Sequence, residues 1–176
     1  MSKSSKEKIN DDTQRVLSEL KNNANKSIND IAKKLSFSRQ KVWRLIKNLE
    51  EDHTIWGYTA IINEEKQGKK TFVLLIKRTT NPFDDQLAEK IISRDLEREM
   101  AKFNCTVIGS VYTNGSYDWF LVFAADELKN AKIVAELFIN RYPKYIQETT
   151  LLEELFPCKV QNILNPDIHE LKELIC

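Results

Sequence analysis

Two serines, each followed by an apolar stripe at helical spacing, place the strongest constraint on how this chain can fold. Ser27 precedes Ile28, Ile31, Ala32 and Leu35, whereas Ser38 precedes Val42, Leu45, Ile46 and Leu49. A serine side chain can accept a hydrogen bond from the free N–H groups of a first helical turn. Apolar residues at offsets of three, four and seven share one helix face. Residues 27–52 are therefore predicted to form two short helices around a turn at Ser36-Phe37, a helix-turn-helix.

The second of these helices has a basic outer face. At about 100° per residue, Gln40, Arg44 and Lys47 point away from its apolar stripe. In a helix-turn-helix the second helix enters the DNA major groove, where arginine can pair with guanine and glutamine with adenine. We therefore predict binding of double-stranded DNA by seven residues, with Ser38 and Lys41 suited to phosphates. They are Ser27, Ser38, Arg39, Gln40, Lys41, Arg44 and Lys47.

Two points remain open for this helix. A basic amphipathic helix can simply be solvated, although the preceding helix and the two serine caps favour DNA binding. Trp43 flanks the basic face and could stack on sugar-phosphate or pack against a wing or a dimer partner. Packing is the preferred interpretation, because a buried tryptophan mostly contributes apolar area.

Composition supports two parts with different tasks. Residues 1–52 hold 12 Lys/Arg against 8 Asp/Glu, and the remainder holds 15 against 18. The three cysteines, Cys105, Cys158 and Cys176, lack metal-site spacing, and two of them lie in apolar runs that predict buried thiols. No metal or cofactor is expected. Neither a membrane-length apolar run nor a signal-peptide core is present, so a cytoplasmic protein without membrane contact is expected.

Periodicity after Asp52 changes from helical to mixed. Helices are predicted at about 11–22, 82–103 and 128–141, and strands at 71–79, 105–113, 116–125 and 145–152, with Asn114-Gly115 as a hairpin signal. The second part then reads β-α-β-β-α-β, a ferredoxin-like unit. We predict an α+β fold with four segments. These are a winged helix-turn-helix domain at 1–52, a linker or wing at 53–70, a ferredoxin-like dimerisation and effector domain at 71–156, and a tail with a C-terminal helix at 157–176.

Such a sheet has helices on one face, and the bare face is expected to bury against a partner subunit. The tail helix could cover the edge of its own sheet or reach a neighbouring subunit. Asn165 and Pro166 suit the start of that helix.

Four segments in this order resemble the Lrp/AsnC family of prokaryotic leucine-responsive, or feast/famine, transcription regulators. They are SFSRQKVWRLIKNLEED, IWGYTAIINEEKQG, TNGSYDWFLVF and ETTLLEEL, and the resemblance covers about residues 10–156. It implies a dimer that assembles to tetramers or octamers in many members, and an amino acid effector bound between subunits. The effector residues it implies are Gly115, Tyr117, Asp118 and Thr149, with Thr150 beside them. The segment Asn81–Asn104 is longer than usual for the family, and the tail is additional.

A DNA-binding transcription regulator, not an enzyme, is thus the predicted function. One alternative is a tetrapyrrole decarboxylase of the sirohaem type on the same scaffold. It is disfavoured because neither histidine, His53 nor His169, lies on the predicted sheet. The other is an effector-only sensor, disfavoured by the basic residues Lys41, Arg44 and Lys47.

Overall fold

A computed structural model describes residues 5–176 of this chain. Contacts between residues divide this part of the chain into two compact units. One unit contains the chain up to Ile61 together with Cys158–Cys176, and the other contains Ile62–Pro157. The first four residues of the predicted 1–52 domain lie outside the described part.

Three helices build the first unit: α1 (Ser5–Asn22), α2 (Ile28–Leu35) and α3 (Arg39–Glu51). The first begins at Ser5 rather than near Asp11, as the sequence had suggested. The apolar stripes of the three helices converge into one core. Its buried members are Val16, Leu20, Ile31, Ala32, Leu35, Val42 and Leu45.

The turn between α2 and α3 is built by local hydrogen bonds. Ser27 caps α2 by accepting a hydrogen bond from the Asp30 amide, and Ser38 caps α3 by accepting one from the Lys41 amide at 3.2 Å. Ser36 takes the left-handed conformation, with φ of 57°, that commonly ends a helix. The serine pattern therefore fixes where each helix begins.

The segment after α3 forms no strand. Residues 55–63 have no regular structure, and a 3₁₀ turn follows at Glu65–Gln67. The short strand that the sequence predicts here does not form. The Ile55 amide instead donates to the Leu49 carbonyl at 2.8 Å, and the exposed polar and apolar groups beyond it have no neighbouring strand to pair with.

A four-stranded antiparallel sheet organises the second unit. Its strands are β1 (Lys70–Arg78), β2 (Thr106–Tyr112), β3 (Trp119–Ala125) and β4 (Ile146–Glu153), in the order β2-β3-β1-β4. Phe72, Leu74 and Ile76 of β1 face the helices and are buried, and they alternate with half-buried residues on the other face. The order and the antiparallel pairing confirm the predicted ferredoxin-like unit.

The single helix predicted for residues 82–103 is wrong, because two shorter helices form there. They are α4 (Asp85–Ile92) and α5 (Asp95–Ala101), and Arg94 between them is left-handed with φ of 60°. The chain therefore changes direction at Ser93-Arg94, over the helix-facing side of the sheet. The other helix, α6 (Leu128–Arg141), has the predicted bounds.

Asn114-Gly115 lies in the β2–β3 connection, as the hairpin signal indicates, but the connection is longer than two residues. It runs from 113 to 118 and closes through the Thr113 amide, which donates to the Asp118 carbonyl at 2.7 Å. Neither Asn114 nor Gly115 has positive φ, so the tight turn that usually explains this dipeptide is absent.

The tail groups with the helical unit, which the sequence did not suggest. It forms a hairpin of β5 (Lys159–Val160) and β6 (Ile163–Leu164), then a 3₁₀ turn and the short α7 (Leu171–Ile175). Asn162 Nδ2 donates to Asn22 Oδ1 at 2.6 Å. The expectation of two buried cysteines is wrong, since Cys105 is buried but Cys158 and Cys176 are exposed. Within residues 5–176, no helix has the length and apolar character that crossing a membrane requires.

Candidate DNA-binding surface

Five exposed side chains of α3 share the outer side of the helical unit. They are Arg39, Gln40, Trp43, Arg44 and Lys47, and we call them the recognition surface. The opposite side of α3 holds Val42, Leu45 and Leu49, which are buried. Because the buried stripe fixes the rotation of the helix, the five side chains must point to solvent.

Two of the cations on this surface are free for a ligand. Among the described residues, Arg39 and Arg44 form no ion pair within 4.0 Å and no side-chain hydrogen bond. An arginine without an internal partner keeps its planar fork of donors available for phosphate or a base edge.

The two lysines predicted to bind DNA are engaged within the unit. Lys41 Nζ lies 2.5 Å from Asp12 Oδ2 and 3.8 Å from the centre of the Phe37 ring. Lys47 Nζ donates to Glu50 Oε2 at 2.9 Å. Lys41 is half-buried beside α1 and so braces the turn, whereas Lys47 remains exposed at the surface.

Glu50 collects two donors at the end of α3. Lys47 donates to one oxygen, and the Tyr58 hydroxyl donates to the other at 3.1 Å. The hydrogen bond from Lys47 and then the one from Tyr58 hold the pKa of Glu50 below its ordinary value. The same contact raises the pKa of Lys47. Both groups therefore stay charged at neutral pH.

Trp43 does not pack against a wing. Its side chain is 52% exposed, and no strand forms in the segment that follows α3. Trp43 is also three residues from Gln40 and four from Lys47, which places it within the outer face rather than on its flank. Packing of Trp43 against a dimer partner stays a prediction.

The predicted DNA-binding serines act first as helix caps. Ser27 Oγ accepts from the Asp30 amide and donates to the Asp30 carboxylate at 2.7 Å. Ser38 Oγ accepts from the Lys41 amide. Both serines are exposed, and Ser38 stands at the start of α3, where the free amides of a helix attract phosphate.

The residues implied for an effector do not converge on one point. Tyr117 Oη lies 3.3 Å from Thr150 Oγ1, whereas Thr149 is the partner of Ile76 on the helix-covered face. Asp118 Oδ2 accepts from the Arg78 amide at 2.8 Å and so fastens the hairpin to the end of β1. Gly115 has open space around it.

Neither histidine belongs to the sheet unit. His53 and His169 both belong to the first unit. Across residues 5–176, no group of three or more His, Cys, Asp or Glu side chains is arranged to hold a metal ion.

Comparison with known proteins agrees with this geometry. Residues 10–55 match the winged helix-turn-helix DNA-binding family. No curated protein matches the chain.

Solved structures match across nearly the whole chain. PH0061 is 21% identical with a TM-score of 0.67, over 93% of this chain and 100% of that one. An AsnC family transcriptional regulator from Agrobacterium tumefaciens is 20% identical with a TM-score of 0.63, over 88% and 95%. A transcriptional regulator from Neisseria meningitidis, solved as a complex with L-methionine, is 14% identical with a TM-score of 0.63, over 88% and 95%.

The resemblance inferred from the sequence is thereby confirmed for the fold. A helix-turn-helix that matches a DNA-binding family precedes a ferredoxin-like sheet unit in the order found in these structures. This chain therefore has the two-part fold of the AsnC-type transcriptional regulators.

Proposed function

We propose that this chain is a sequence-specific DNA-binding transcription regulator that inserts α3 into the major groove. The observation that carries the proposal is the recognition surface itself. Its five side chains project from a capped helix whose opposite face is locked into a core, so they can enter a groove without unfolding anything.

Each exposed residue has a role that its chemistry suits. Arg44 and Gln40 lie at the centre of the face and can read guanine and adenine edges. Arg39, near the start of α3, is placed for phosphate or a base, and Ser38 supplies the capped helix terminus. Trp43 offers an apolar surface to the methyl group of thymine.

Genomic fragment selection tests the proposal. The full chain is used to capture fragments from genomic DNA, and the affinity for a captured fragment is then measured by gel shift. Arg44→Ala is expected to weaken binding by about 1–3 kcal/mol and to relax one base position. Lys132→Ala, which removes an exposed cation from α6, is the matched control and should leave binding unchanged. Equal affinity and selectivity for wild type and Arg44→Ala would contradict the groove placement.

We propose further that the chain works as a homodimer through the bare face of its sheet. Val73 and Leu75 of β1 and Val122 of β3 lie there half-buried, and Val111 and Leu152 are 45% and 47% exposed. An apolar face of this kind is costly in water and is typical of a subunit interface. Two copies would present two recognition helices about one helical turn of DNA apart.

Sedimentation or light scattering tests the dimer. Val122→Lys places a charge at the middle of the bare face and is expected to yield monomers. Lys132→Ala again serves as the control. A monomeric wild type would contradict the sheet-face dimer. Tetramers or octamers that Val122→Lys reduces to monomers would agree with it.

An amino acid effector at the β2–β3 hairpin completes the proposal. The complex of the Neisseria regulator with L-methionine supports this ligand class. Tyr117 and Thr150 form a polar pair beside the hairpin, Gly115 and Asp118 belong to the hairpin connection, and Thr149 lies on the opposite face of β4. Titration with an amino acid pool should alter DNA affinity, and Tyr117→Phe should reduce that response. We propose no catalytic activity, and the sheet unit offers no histidine to a tetrapyrrole.

A further inference from the structure

The second unit contains a cavity of about 80 Å³ between the sheet and the helices α4, α5 and α6. Its walls are mainly apolar, with Leu87, Ile91, Met100, Leu121 and Phe138 among the lining side chains. It lies at the turn between α4 and α5, and Arg94 of that turn and residues of both helices form part of its wall.

Arg78 enters this apolar wall from the end of β1 and is held by three contacts. Nη1 donates to the Tyr112 hydroxyl at 2.5 Å, and Nη2 donates to the Asn81 carbonyl at 3.2 Å. The guanidinium carbon lies 3.6 Å from the centre of the Phe83 ring. The guanidinium group is therefore fixed before any ligand arrives.

The third guanidinium nitrogen of Arg78 has no partner among the described residues. This nitrogen is Nε, which is buried and forms no hydrogen bond. Leaving a buried donor of a charged group unpaired is costly, and such groups in folded proteins normally meet an acceptor. Lys90, half-buried, adds a further cation to the same wall, where Arg94 is paired with Glu97.

Acceptors in the wall are already occupied. Of the described residues that line the cavity, Glu97 carries the only carboxylate, and it accepts from Arg94. Ser110 Oγ accepts from Trp119 Nε1 at 2.8 Å. The Tyr145 hydroxyl donates to Asp84. The wall thus offers free donors and apolar surface, but little that would receive an ammonium group.

We propose that this cavity binds a small apolar carboxylic acid without an amino group. The acid places its carboxylate on Arg78 Nε and near Lys90, and its hydrocarbon body fills the space between Leu87 and Phe138. One water needs about 10–15 Å³ of such volume, so the cavity suits a ligand of roughly 5–8 non-hydrogen atoms. Short branched acids such as 4-methylpentanoate have this size and this chemistry.

This site lies inside one chain and is separate from the hairpin residues proposed for an amino acid. Asp118 connects the two, because its carboxylate holds the backbone amide of Arg78. The proposal goes beyond DNA binding. Its test uses no DNA. The cavity proposal can therefore fail while the proposed function stands, and the proposed function can fail while the cavity proposal stands.

Calorimetric titration of the full chain tests the site with three compounds that share one hydrocarbon body. They are 4-methylpentanoate, 4-methylpentan-1-ol and 4-methylpentylamine. The acid is expected to bind once per chain, and the alcohol and the amine at least about tenfold more weakly, since each lacks the charge-assisted hydrogen bond to Arg78. Absence of acid binding at millimolar concentration, or equal binding of the amine, would overturn the proposal.

Variants assign the binding to this cavity. Arg78→Lys keeps the charge but removes the Nε donor, and it should weaken the acid about tenfold or more. Lys90→Gln should also weaken it, and provides a second variant if Arg78→Lys does not fold. Lys132→Gln is the control and should bind as wild type does. Acid binding that survives both Arg78→Lys and Lys90→Gln unchanged would place the ligand elsewhere and overturn the assignment.

Discussion

Arg44 and Arg78 are two arginines whose surroundings lead to opposite kinds of binding. Arg44 stands exposed on a convex helix face beside other cations and an exposed tryptophan. Arg78 is fixed in the wall of an apolar cavity, with two of its nitrogens already bonded and one buried without an acceptor. Arg44 can bind a large surface such as a DNA groove, whereas Arg78 can bind only a molecule small enough to enter the cavity.

The difference shows how one chain divides its tasks. An exposed cation interacts weakly with a single charge in water, so it is useful against a polyanion that offers many phosphates and releases counterions. A buried donor in an apolar wall gains far more from one matched acceptor. The two proposals therefore assign DNA to the helical unit and small molecules to the sheet unit.

Two aromatic residues extend this comparison to stability. Phe123 is fully buried and stacks near Phe72 with ring centroids 5.8 Å apart, whereas Trp43 is 52% exposed. Phe123→Ala is expected to cost about 3–5 kcal/mol of unfolding free energy in urea titration. Trp43→Ala should cost no more than about 0.5 kcal/mol. A comparable loss of unfolding free energy in both variants would show that Trp43 packs within the protein.

For DNA affinity, in contrast to stability, Trp43 should matter more than Phe123. Trp43→Ala is expected to weaken binding to a selected fragment by about 1–3 kcal/mol, the usual effect of losing one base contact. Replacing the thymines of the fragment by uracil removes their methyl groups. Wild type should lose affinity on that DNA, and Trp43→Ala should lose little more. Equal sensitivity of both proteins to uracil would show that Trp43 does not contact the methyl group.

A smaller change in DNA affinity is expected when Lys41 is released from its ion pair with Asp12. This pair is partly exposed, so it is worth at most about 1 kcal/mol. Asp12→Asn should release Lys41 and strengthen DNA binding slightly, by less than about tenfold, measured by fluorescence anisotropy. Asp30→Asn is not a suitable control, because Asp30 bonds Ser27. Asp126→Asn in the sheet unit is suitable, and weaker binding by Asp12→Asn would contradict this role for Lys41.

The pH dependence of stability tests Glu19, which is buried and pairs with Lys34 at 2.8 Å and with Lys26 at 2.9 Å. Hydrogen bonds from Lys34 and then Lys26 hold the pKa of Glu19 below its ordinary value of 4.5. Its contribution to stability is therefore complete above that value and is lost as pH falls through the lowered pKa. Urea midpoints should decline in acid more steeply for wild type than for Glu19→Gln, and parallel declines would contradict the assignment.

Local signals allowed much of the fold to be predicted from the sequence. Ser27 and Ser38 act on amides three residues away, so the starts of α2 and α3 could be inferred directly. The position of β1 inside the sheet could be inferred from its near-continuous apolar run. The ion pair of Lys47 with Glu50 could also have been found, because three residues separate them on one helix.

The features that escaped prediction depend on distant parts of the chain. The break at Arg94 requires a left-handed arginine, which only tertiary packing selects. Lys41 meets Asp12 across 29 positions. The cavity did leave one trace in the sequence, since Arg78 continues the inward alternation of Phe72, Leu74 and Ile76 with a charge where an apolar residue was due.

The ratio of affinities for a selected fragment and a shuffled fragment of equal length tests the central claim most directly. Binding is measured for wild type, Arg44→Ala and Lys132→Ala over a series of salt concentrations. The account predicts a ratio of about 10³ or more for wild type and the control, and a ratio about 10-fold to 100-fold lower for Arg44→Ala. The logarithm of the affinity should fall linearly with the logarithm of the salt concentration. A ratio near one for wild type, or one that Arg44→Ala leaves unchanged, would contradict groove reading by α3.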